Sequence, residues 1–271
     1  RTSRSSALAS KATGFPIALV SAMLAAGLTL KDIECGKYGT LDKYKPDGDY
    51  IVIKFARWAF EKFKGVEDKL GTQMRAVGEV MSIGKNYKEA FQKAIRSLET
   101  GRYGLGFAKD YNEKSKEELL RMLATPSSDR HFIMYEALRK GATVDEIFDI
   151  TKVKHYFVEQ MKELVEEEEA IAKSKGSLPS DEQLISAKKN GFSDKYLSQI
   201  LAIPEDDIRN KRIELGIEEA WEGIHVSGTK GNAYYYSSYH IKDESKASDN
   251  KNKIMILGGG PNRIGQGIEF D

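Results

Sequence analysis

The sequence predicts a mixed fold, in which an α+β segment precedes an all-α helical domain and the first βα unit of a doubly wound α/β domain. Strand-like and helical stretches alternate over residues 1–98, and apolar residues recur at helical spacing from 99 to about 216. A strand-like run after residue 251 leads into a glycine loop, as at the start of a doubly wound sheet. We therefore predict three domains, with boundaries at 1–98, 99–250 and 251–271.

Composition and charge argue against several classes of protein. The 271 residues include 42 basic and 41 acidic side chains, and the net charge of +1 does not favour nucleic acid or an anionic membrane. The longest apolar run, near residues 17–27, is shorter than the roughly 20 residues that span a bilayer. Cys35 is the only cysteine and the histidines lie far apart, so we expect no disulfide and no metal site. A single cysteine fits a reducing compartment, and we expect a cytoplasmic location.

The chain begins with two predicted helices. The alanine-rich stretch after Ser5 predicts a helix that ends at Gly14, and Pro16 suits the first turn of the next helix. Arg1 and Arg4 lie three residues apart at this start, where guanidinium groups and free helix-start N–H groups suit a carboxylate, bicarbonate or phosphate. The alternative is a basic, frayed terminus without a ligand.

The rest of the first segment alternates between strand and helix signals. Residues 50–55 have the character of a strand, and residues 88–98 predict an amphipathic helix. Between them, the short apolar run 78–84 surrounds one carboxylate, Glu79. This carboxylate can serve a functional site or can pair with a lysine or arginine. Residues 1–98 are therefore predicted to be α+β.

The middle of the chain predicts a succession of helices joined by short turns. Apolar residues at spacings of three and four predict helices over 114–124, 132–140, 144–149, 152–174, 180–190, 194–201 and 204–215. We interpret the four acids Glu166–Glu169 as a solvated face of the longest helix. No catalytic cluster of side chains accompanies these helices, which favours a spacer or an association surface.

Two helical stretches repeat at an offset of 50 residues. The run 137–143 matches 187–193, and each unit ends a helix at glycine and caps the next with Thr143 or Ser193. Apolar positions beyond the caps also align, with Ile147, Ile150, Val153 and Val158 matching Leu197, Ile200, Ile203 and Ile208.

This arrangement also resembles a helix-turn-helix module that binds nucleic acid, which we keep as an alternative. Charge argues against it, because the helix that would read DNA begins with the acids 205–207. Residues 174–217 carry seven basic and seven acidic side chains, a net charge of zero (7 − 7), whereas phosphate contacts need several cations.

The tyrosine-rich run 234–239 predicts a strand or an extended ribbon that packs its rings on neighbours. A platform for stacking bases is the alternative, but adjacent basic residues are lacking. Residues 242–252 are polar and typical of a linker.

The end of the chain predicts a buried strand over 253–257 that leads into a glycine loop. Gly258 and Gly260 match the first glycines of a dinucleotide-binding motif, but Arg263 stands in place of the third. A phosphate-binding P-loop is also excluded, because Gln266 stands where a lysine is needed. The loop lets the backbone approach a ligand closely and does not identify it, so a small enzyme built on this loop is a further alternative.

Two long, literal runs, 1–14 and 258–271, resemble the large chain of carbamoyl-phosphate synthetase, and the run 73–81 gives further support. In that family, two homologous halves, each with an ATP-grasp fold behind a doubly wound domain, are joined by a helical oligomerisation domain. The resemblance implies that 1–98 is the end of the first, carboxyphosphate-forming ATP-grasp unit and that 99–250 is the oligomerisation domain. Residues 251–271 would then start the second half.

The resemblance also implies a reaction, cofactors and partners. The parent protein would be a ligase that makes carbamoyl phosphate from bicarbonate, glutamine-derived ammonia and two ATP, for arginine or pyrimidine synthesis. The first half phosphorylates bicarbonate, ammonia converts the product to carbamate, and the second half phosphorylates carbamate. ATP and Mg²⁺ or Mn²⁺ are the implied cofactors, and a glutaminase small subunit and other large chains are the implied partners. We expect this chain to be a central fragment, inactive alone, that forms homo-oligomers through 99–250.

Six site residues follow from the resemblance. Arg1 is the last residue of the motif Glu-x-Asn-Pro-Arg, which implies that it contacts bicarbonate or carboxyphosphate. Arg4 and Ser5 would line the nearby point where ammonia arrives. The wall of the tunnel that carries carbamate between the halves would include Ser5, Glu79, Gly267 and Glu269. No complete nucleotide or metal site is expected within these 271 residues.

Overall fold

The computed structural model describes residues 4–45, 48–58, 60, 65–107, 111–224 and 234–255. Its helices and strands, in chain order, are α1 (Arg4–Thr13), α2 (Ile17–Ala25), β1 (Ile51–Trp58), β2 (Ala76–Gly84), α3 (Tyr87–Ser97), α4 (Lys116–Leu123), α5 (Arg130–Arg139), α6 (Val144–Thr151), α7 (His155–Ala172), α8 (Asp181–Lys189), α9 (Asp194–Leu201), α10 (Glu205–Glu214), β3 (Ala220–Gly223) and β4 (Tyr235–Ser238). Strand β1 pairs with β2, and β3 pairs with β4 in a second sheet. The predicted mixed α/β character is therefore confirmed, with most of the regular structure helical.

The described residues form two compact units. One lies within the ranges 1–52, 83–85 and 218–252, and the other within 53–82, 86–217 and 253–271. We call the first the N-terminal unit and the second the helical unit.

A continuous apolar core runs through the helical unit, from Phe55 and Val80 in the strands to Ile208 in α10. Large side chains such as Phe91 and Phe192 are almost completely buried in it. Each such side chain contributes about 1.5–3 kcal/mol to folding through its removal from water. The helices predicted from apolar periodicity therefore hold together by packing.

The N-cap residues explain where several helices begin. Ser115, Thr143 and Ser180 each accept a hydrogen bond from the backbone N–H three residues later, and the Glu or Gln at that position bonds back to the cap. Such a capping box satisfies two backbone donors that the helix leaves open. The starts of α4, α6 and α8 lie within two residues of the predicted ones because short-range sequence encodes these caps.

The 50-residue repeat is confirmed in detail. Helix α6 spans Val144–Thr151 and α9 spans Asp194–Leu201, so the second helix of the repeat is shifted by 50 residues. Gly141 and Gly191 end the preceding helices with φ of +88° and +91°. Lys152 and Ala202 then end α6 and α9 in the left-handed conformation, with φ of +58° and +54°. The two units therefore share one backbone path.

A substitution at each repeat glycine separates backbone strain from packing. Gly141→Ala is expected to destabilise the helical unit by roughly 1 kcal/mol, because only the positive φ opposes a side chain there. Gly191→Ala is expected to destabilise it by roughly 2–4 kcal/mol, because overpacking adds to the strain. A Cβ at Gly191 would lie 2.9 Å from the Cα of Glu89 in α3, whereas none of the described atoms lies within 4 Å at Gly141. Urea denaturation of both variants checks this, and equal losses would contradict it.

The all-α character predicted for 99–250 is wrong beyond α10, because β3 and β4 follow it as an antiparallel pair. Alternation explains β4: Tyr236 and Ser238 are buried, whereas Tyr235 is 45% exposed. This period of two is that of a strand with one face covered. The prediction of a strand or extended ribbon over 234–239 is therefore confirmed as a strand.

The predicted buried strand at 253–257 is not formed by the residues described there. Ile254 and Met255 are exposed and lie in no strand. A strand needs a neighbour to pair its backbone groups, and the described part of the chain supplies none at this position. The glycine loop and the βα unit that it would begin fall on 256–271, outside the described residues.

Candidate functional site

The N-terminal site residues lie at the start of helix α1. Arg4 and Ser5 are its first two residues, which confirms a helix here, but their side chains lie outside the described part of the structure, as does all of Arg1. The other end of α1 is anchored, because the hydroxyl of Tyr50 donates a hydrogen bond of 2.7 Å to the carbonyl oxygen of Ala12. The backbone of this segment therefore has a defined place in the N-terminal unit.

Glu79 lies in the middle of β2 and forms an ion pair with Lys54 of β1. Its side chain keeps 25% of its exposure, and that of Lys54 keeps 44%. Of the two roles that the sequence left open for Glu79, the structure shows the pairing with a lysine. A partly exposed pair contributes about 0–1 kcal/mol, so the pair by itself does not explain why the strand carries this carboxylate. Gly267 and Glu269 lie outside the described residues, so the structure does not bring the predicted tunnel residues together.

Sequence reasoning missed a buried carboxylate in the helical unit. Glu168 in α7 is 1% exposed and accepts hydrogen bonds from the hydroxyls of Tyr135 (2.6 Å) and Tyr196 (2.7 Å). Its second oxygen is paired with the guanidinium of Arg139. The backbone N–H of Gly106 donates to the Tyr196 hydroxyl at 2.9 Å. We call these five residues the buried network.

The solvated face predicted for the acidic run 166–169 is therefore wrong at Glu168. The signal was present in the helical period, because Glu168 follows Leu164 by four residues and precedes Ile171 by three, and both of these are buried. Burial, and then the nearby carboxylate of Glu168, raise the pKa of Tyr135 and Tyr196 well above the ordinary value of 10.0. Both hydroxyls therefore stay protonated and act as donors.

A second polar cluster joins α8, α9 and α10. Lys188 is 3% exposed and bonds to the carboxylate of Asp194 at 2.7 Å and to the carbonyl oxygen of Phe192 at 2.9 Å. Arg212 of α10 donates to the other oxygen of Asp194 at 3.1 Å. Burial works against the charge on Asp194, but Lys188 and Arg212 outweigh it and lower the pKa of this carboxyl. These polar atoms find partners within the protein, which favours a structural role.

The charges of α10 also bear on the helix-turn-helix alternative. Lys211 lies 3.3 Å from both Asp181 and Glu214, and Arg212 is bound to Asp194. Cations that are already paired with carboxylates are poor ligands for phosphate. Two of the cations on the helix that would read DNA are therefore already paired with carboxylates, and its first turn is acidic, which argues against DNA binding.

The described residues offer little for metals or membranes. Among them, no group of three or more His, Cys, Asp and Glu side chains is arranged to hold a metal ion. No helix in the described ranges combines the length and the apolar character that crossing a bilayer requires.

On the helical unit, the exposed rings of Tyr156 and Phe157 cluster with the half-buried ring of Tyr87, and we call these three side chains the aromatic patch. The ring of Tyr87 lies 6.0 Å from that of Tyr156 and 5.4 Å from that of Phe157. Tyr156 is 50% exposed and Phe157 is 41% exposed. On helix α6, Ile150 is also 36% exposed, whereas its counterpart in the repeat, Ile200, is 3% exposed. The first repeat unit therefore leaves apolar surface open where the second covers it.

Two family models match this chain. Residues 79–216 match the oligomerisation domain of the carbamoyl-phosphate synthetase large chain. This range includes helices α3 to α10, the buried network and the aromatic patch. Residues 1–33 match the ATP binding domain of the carbamoyl-phosphate synthase L chain, which includes α1 and α2.

Relatives from several organisms match over the whole chain. The chloroplastic, arginine-specific carbamoyl phosphate synthase large chain of Arabidopsis thaliana is 45% identical over 276 residues, with 100% of this chain and 23% of the relative covered. The carbamoyl phosphate synthase large chains of Nostoc sp. (strain PCC 7120) and Archaeoglobus fulgidus are both 44% identical, with 100% of this chain and 25% and 26% of the relatives covered. The chain therefore spans about a quarter of the length of these curated relatives. With the oligomerisation domain matched over 79–216 and this identity along its full length, the chain belongs to the carbamoyl-phosphate synthetase large chain family.

Proposed function

We propose that this chain serves as the central segment of an ATP-dependent ligase that makes carbamoyl phosphate, and that its helical unit joins large chains and spaces the two phosphorylating halves. The carrying observation is the identity of 44–45% along the entire chain to carbamoyl phosphate synthase large chains. The helical unit supports the second part, since its range matches an oligomerisation domain and its buried carboxylates Glu168 and Asp194 are paired with cations of the same unit. Residues 1–98 would be the end of the first ATP-grasp unit, 99–250 the oligomerisation domain and 251–271 the start of the second half.

The N-terminal residues would act in the first phosphorylation. Arg1 would contact bicarbonate or carboxyphosphate, where a fixed guanidinium offsets negative charge as it develops. Arg4 and Ser5 would lie where ammonia arrives. Glu79 would face the carbamate tunnel, and its residual exposure leaves it accessible from one side. The tunnel wall would also include Gly267, where any side chain would project into the bore, and Glu269.

ATP and its Mg²⁺ or Mn²⁺ would be held by residues other than the described ones. Among the described residues, no group of side chains fits a metal ion, so the described part of the chain supplies no ligand set of its own. When bound, the metal would neutralise charge on the nucleotide phosphates during transfer. The segment 4–255 would then contribute position and association, and we expect it to be inactive alone.

The proposed reaction is tested on the product of the complete reading frame that contains this sequence. Its purified form is expected to convert bicarbonate, ammonia and ATP to carbamoyl phosphate, measured together with the ADP formed. Arg1→Met is expected to abolish product, whereas Lys31→Met, which removes an exposed charge from the same segment, is expected to retain it. A folded wild-type protein that forms no carbamoyl phosphate would overturn the proposal.

Other properties of the whole protein rest on the resemblance. A glutaminase small subunit is proposed as the source of ammonia. The Arabidopsis relative is named as chloroplastic and arginine-specific, so a cytoplasmic location and the choice between arginine and pyrimidine synthesis remain predictions. Neither the family models nor the relatives support the nucleic-acid alternative.

The aromatic patch is the surface that we assign to association with a second copy of this chain. The patch lies within the range matched to the oligomerisation domain, and exposed aromatic rings dominate the energetics of many protein interfaces. Burial of one such side chain contributes about 1.5–3 kcal/mol. Sedimentation of the chain is therefore expected to show a dimer or larger species.

Phe157→Ser is expected to raise the dissociation constant of this oligomer at least about tenfold, because it removes a ring from the centre of the patch. Ile213→Ser in α10 is the matched control, since Ile213 is also apolar and 50% exposed but lies outside the patch. Sedimentation velocity over a concentration series measures both. An equal loss of association in the two variants, or a strict monomer for the unchanged chain, would contradict the assignment.

A further inference from the structure

After the helical unit, the chain returns to the N-terminal unit. The described residues 218–224 and 234–252 share this unit with 1–52 and 83–85, and we call them the strap. Strands β3 and β4 pair over Ala220–Gly223 and Tyr235–Ser238. Glu244 closes the strap on itself, because its N–H donates to the carbonyl oxygen of Trp221 at 2.8 Å and its carboxylate accepts from the N–H of Gly223 at 3.0 Å. Both strands and Glu244 are therefore held by specific hydrogen bonds, although the composition predicts a linker beyond residue 242.

The strap buries its apolar side chains on the end of β2. Ile224 (3% exposed) and Tyr236 (5%) form an apolar cluster with Ile83 (7%), the penultimate residue of that strand. The ring of Tyr236 lies 5.4 Å from the ring of Tyr50, which precedes β1. Strand β2 is the strand that carries Glu79. One end of this strand is therefore covered by the strap.

Lys85 also connects the strap to the rest of the unit. The ammonium of Lys85 lies 2.8 Å from the carboxylate of Glu222 in β3 and 2.9 Å from that of Asp49. The hydroxyl of Tyr236 donates to the same Glu222 carboxylate at 2.6 Å. Lys85 and Glu222 keep only 15% and 20% of their side-chain exposure, so solvent screens this pair less than a surface pair. Although burial disfavours the charged ammonium, hydrogen bonds to Glu222, Tyr236 and Asp49 raise the pKa of Lys85.

The same contacts reach the helix that begins with the predicted N-terminal site residues. Tyr50 packs on Tyr236 with its ring and donates its hydroxyl to the carbonyl oxygen of Ala12 at the end of α1. Burial raises the pKa of Tyr50 to about 12, and the neighbouring acidic groups add to this, so the hydroxyl stays a donor. A path of direct contacts therefore runs from Lys85 through Tyr236 and Tyr50 to α1.

We propose that Lys85 is a positioning residue for the first phosphorylation: by joining Glu222 and Asp49 it holds the strap against Tyr50 and the end of β2, and so keeps α1 and this end of the strand in place. This inference rests on the proposed function. Carboxyphosphate and carbamate are unstable in water. When the strap loosens, water attacks carboxyphosphate and returns bicarbonate and phosphate, so one ATP is converted to ADP without product.

The test measures the ADP formed per carbamoyl phosphate in the product of the complete reading frame. Lys85→Met is expected to raise this ratio about two- to tenfold, in the range by which residues on a coupling path change a linked step. Lys85→Arg keeps the positive charge and is expected to give a ratio near that of the unchanged protein. Glu222→Gln removes the charge on the strap side of the same ion pair and is expected to raise the ratio as well. This variant replaces Lys85→Met in the test if Lys85→Met does not fold.

Lys88→Met is the matched control. Lys88 lies three residues away, keeps 18% of its side-chain exposure and forms one ion pair of 2.8 Å, with Glu163 of the helical unit. The Lys88→Met variant is expected to leave the ADP formed per carbamoyl phosphate unchanged. Amide hydrogen exchange on the present chain supplies a second readout, in which Lys85→Met, but not Lys88→Met, speeds exchange in β3 and β4.

The two proposals fail in different ways. If the unchanged protein forms no carbamoyl phosphate, the proposed function is wrong and the positioning role falls with it. The positioning role is overturned if the unchanged protein is active and both variants, Lys85→Met and Glu222→Gln, fold and form the same amount of ADP per carbamoyl phosphate as it does. The proposed function then stands. Exchange in β3 and β4 that does not respond to Lys85→Met would also overturn it, because the strap would then be held without the lysine.

Discussion

Glu168→Ala is expected to destabilise the helical unit by about 3–5 kcal/mol, the largest effect that we predict for a single substitution. The change removes the acceptor shared by the hydroxyls of Tyr135 and Tyr196 and the partner of the Arg139 guanidinium. Arg139 keeps its ion pairs with Glu136 at 3.4 Å and Glu169 at 2.8 Å but loses the fully buried carboxylate, in a medium that solvates its charge poorly. Each stranded hydroxyl adds the desolvation penalty of an unsatisfied polar group.

A glycine loop packs closely on the buried network. A Cβ added at Gly106 would lie 2.5 Å from both a Glu168 carboxylate oxygen and the Tyr196 hydroxyl. The loop therefore has no room for a side chain, and the hydroxyls of Tyr135 and Tyr196 lose the acceptor that this packing encloses with them.

Glu169→Ala is the matched control for this prediction. Glu169 is the next residue, undergoes the same chemical change and also pairs with Arg139, at 2.8 Å, but its side chain is 50% exposed. An exposed pair is expected to contribute only about 0–1 kcal/mol. Urea denaturation of both variants gives the comparison. Similar small losses for the two would mean that the burial of Glu168 has no energetic consequence.

Acidification below pH 6.5 is expected to lower the free energy of unfolding through His131, the second large effect. Burial, and then the charge of Arg130, lower the pKa of His131 from its ordinary 6.5 to about 3. The residue keeps some exposure, but its Nδ1 is buried without a hydrogen-bond partner among the described residues, and its ring lies 4.9 Å and 5.5 Å from those of Phe55 and Phe91. Apolar rings on both sides favour the neutral imidazole.

The sign follows from proton binding. Between pH 6.5 and about 3, the unfolded chain binds a proton at His131 and the folded chain does not. Proton binding therefore stabilises the unfolded state as pH falls, and the free energy of unfolding drops by about 1.4 kcal/mol for each pH unit. Carboxyl groups of ordinary pKa stay largely ionised between pH 6.5 and about 5.5, so this is the window in which the histidine dominates. Burial raises the pKa of Glu136, whose protonation acts in the opposite direction at lower pH.

Denaturation at several pH values checks the role of His131. His131→Leu is expected to remove about one proton from the slope of stability against pH in this window. The control His155→Leu changes a histidine whose side chain is 44% exposed and bound to Asp145, and we expect it to keep the slope that His131 causes. A slope unchanged in His131→Leu would show that another group accounts for the acid sensitivity.

Most helices could be predicted because their determinants are local. Apolar spacing located α3 to α10, and caps such as Ser180 with Gln183 lie within four residues of each other. The repeat was visible for the same reason, since Gly141 and Gly191 each need a backbone conformation that few other residues adopt.

The candidate site could be predicted only in part. The N-terminal residues were found by resemblance, and α1 is confirmed as a helix, but resemblance did not point to Lys85 or Glu222. These two residues are 137 positions apart (222 − 85), and their 2.8 Å contact exists only after the chain has passed through the helical unit and returned. No spacing rule connects residues at such a distance.

Local sequence by itself determined the helices, their caps, the 50-residue repeat and the membership of a family. Only the tertiary structure decided which charged residues are buried and which strands meet. Glu168 and Glu169 are identical in chemistry and adjacent in sequence, yet one is enclosed by two tyrosines and an arginine and the other is half-exposed. The physical reason is that helix formation depends on neighbours three or four residues apart, whereas the environment of a charge depends on whichever distant segments pack around it.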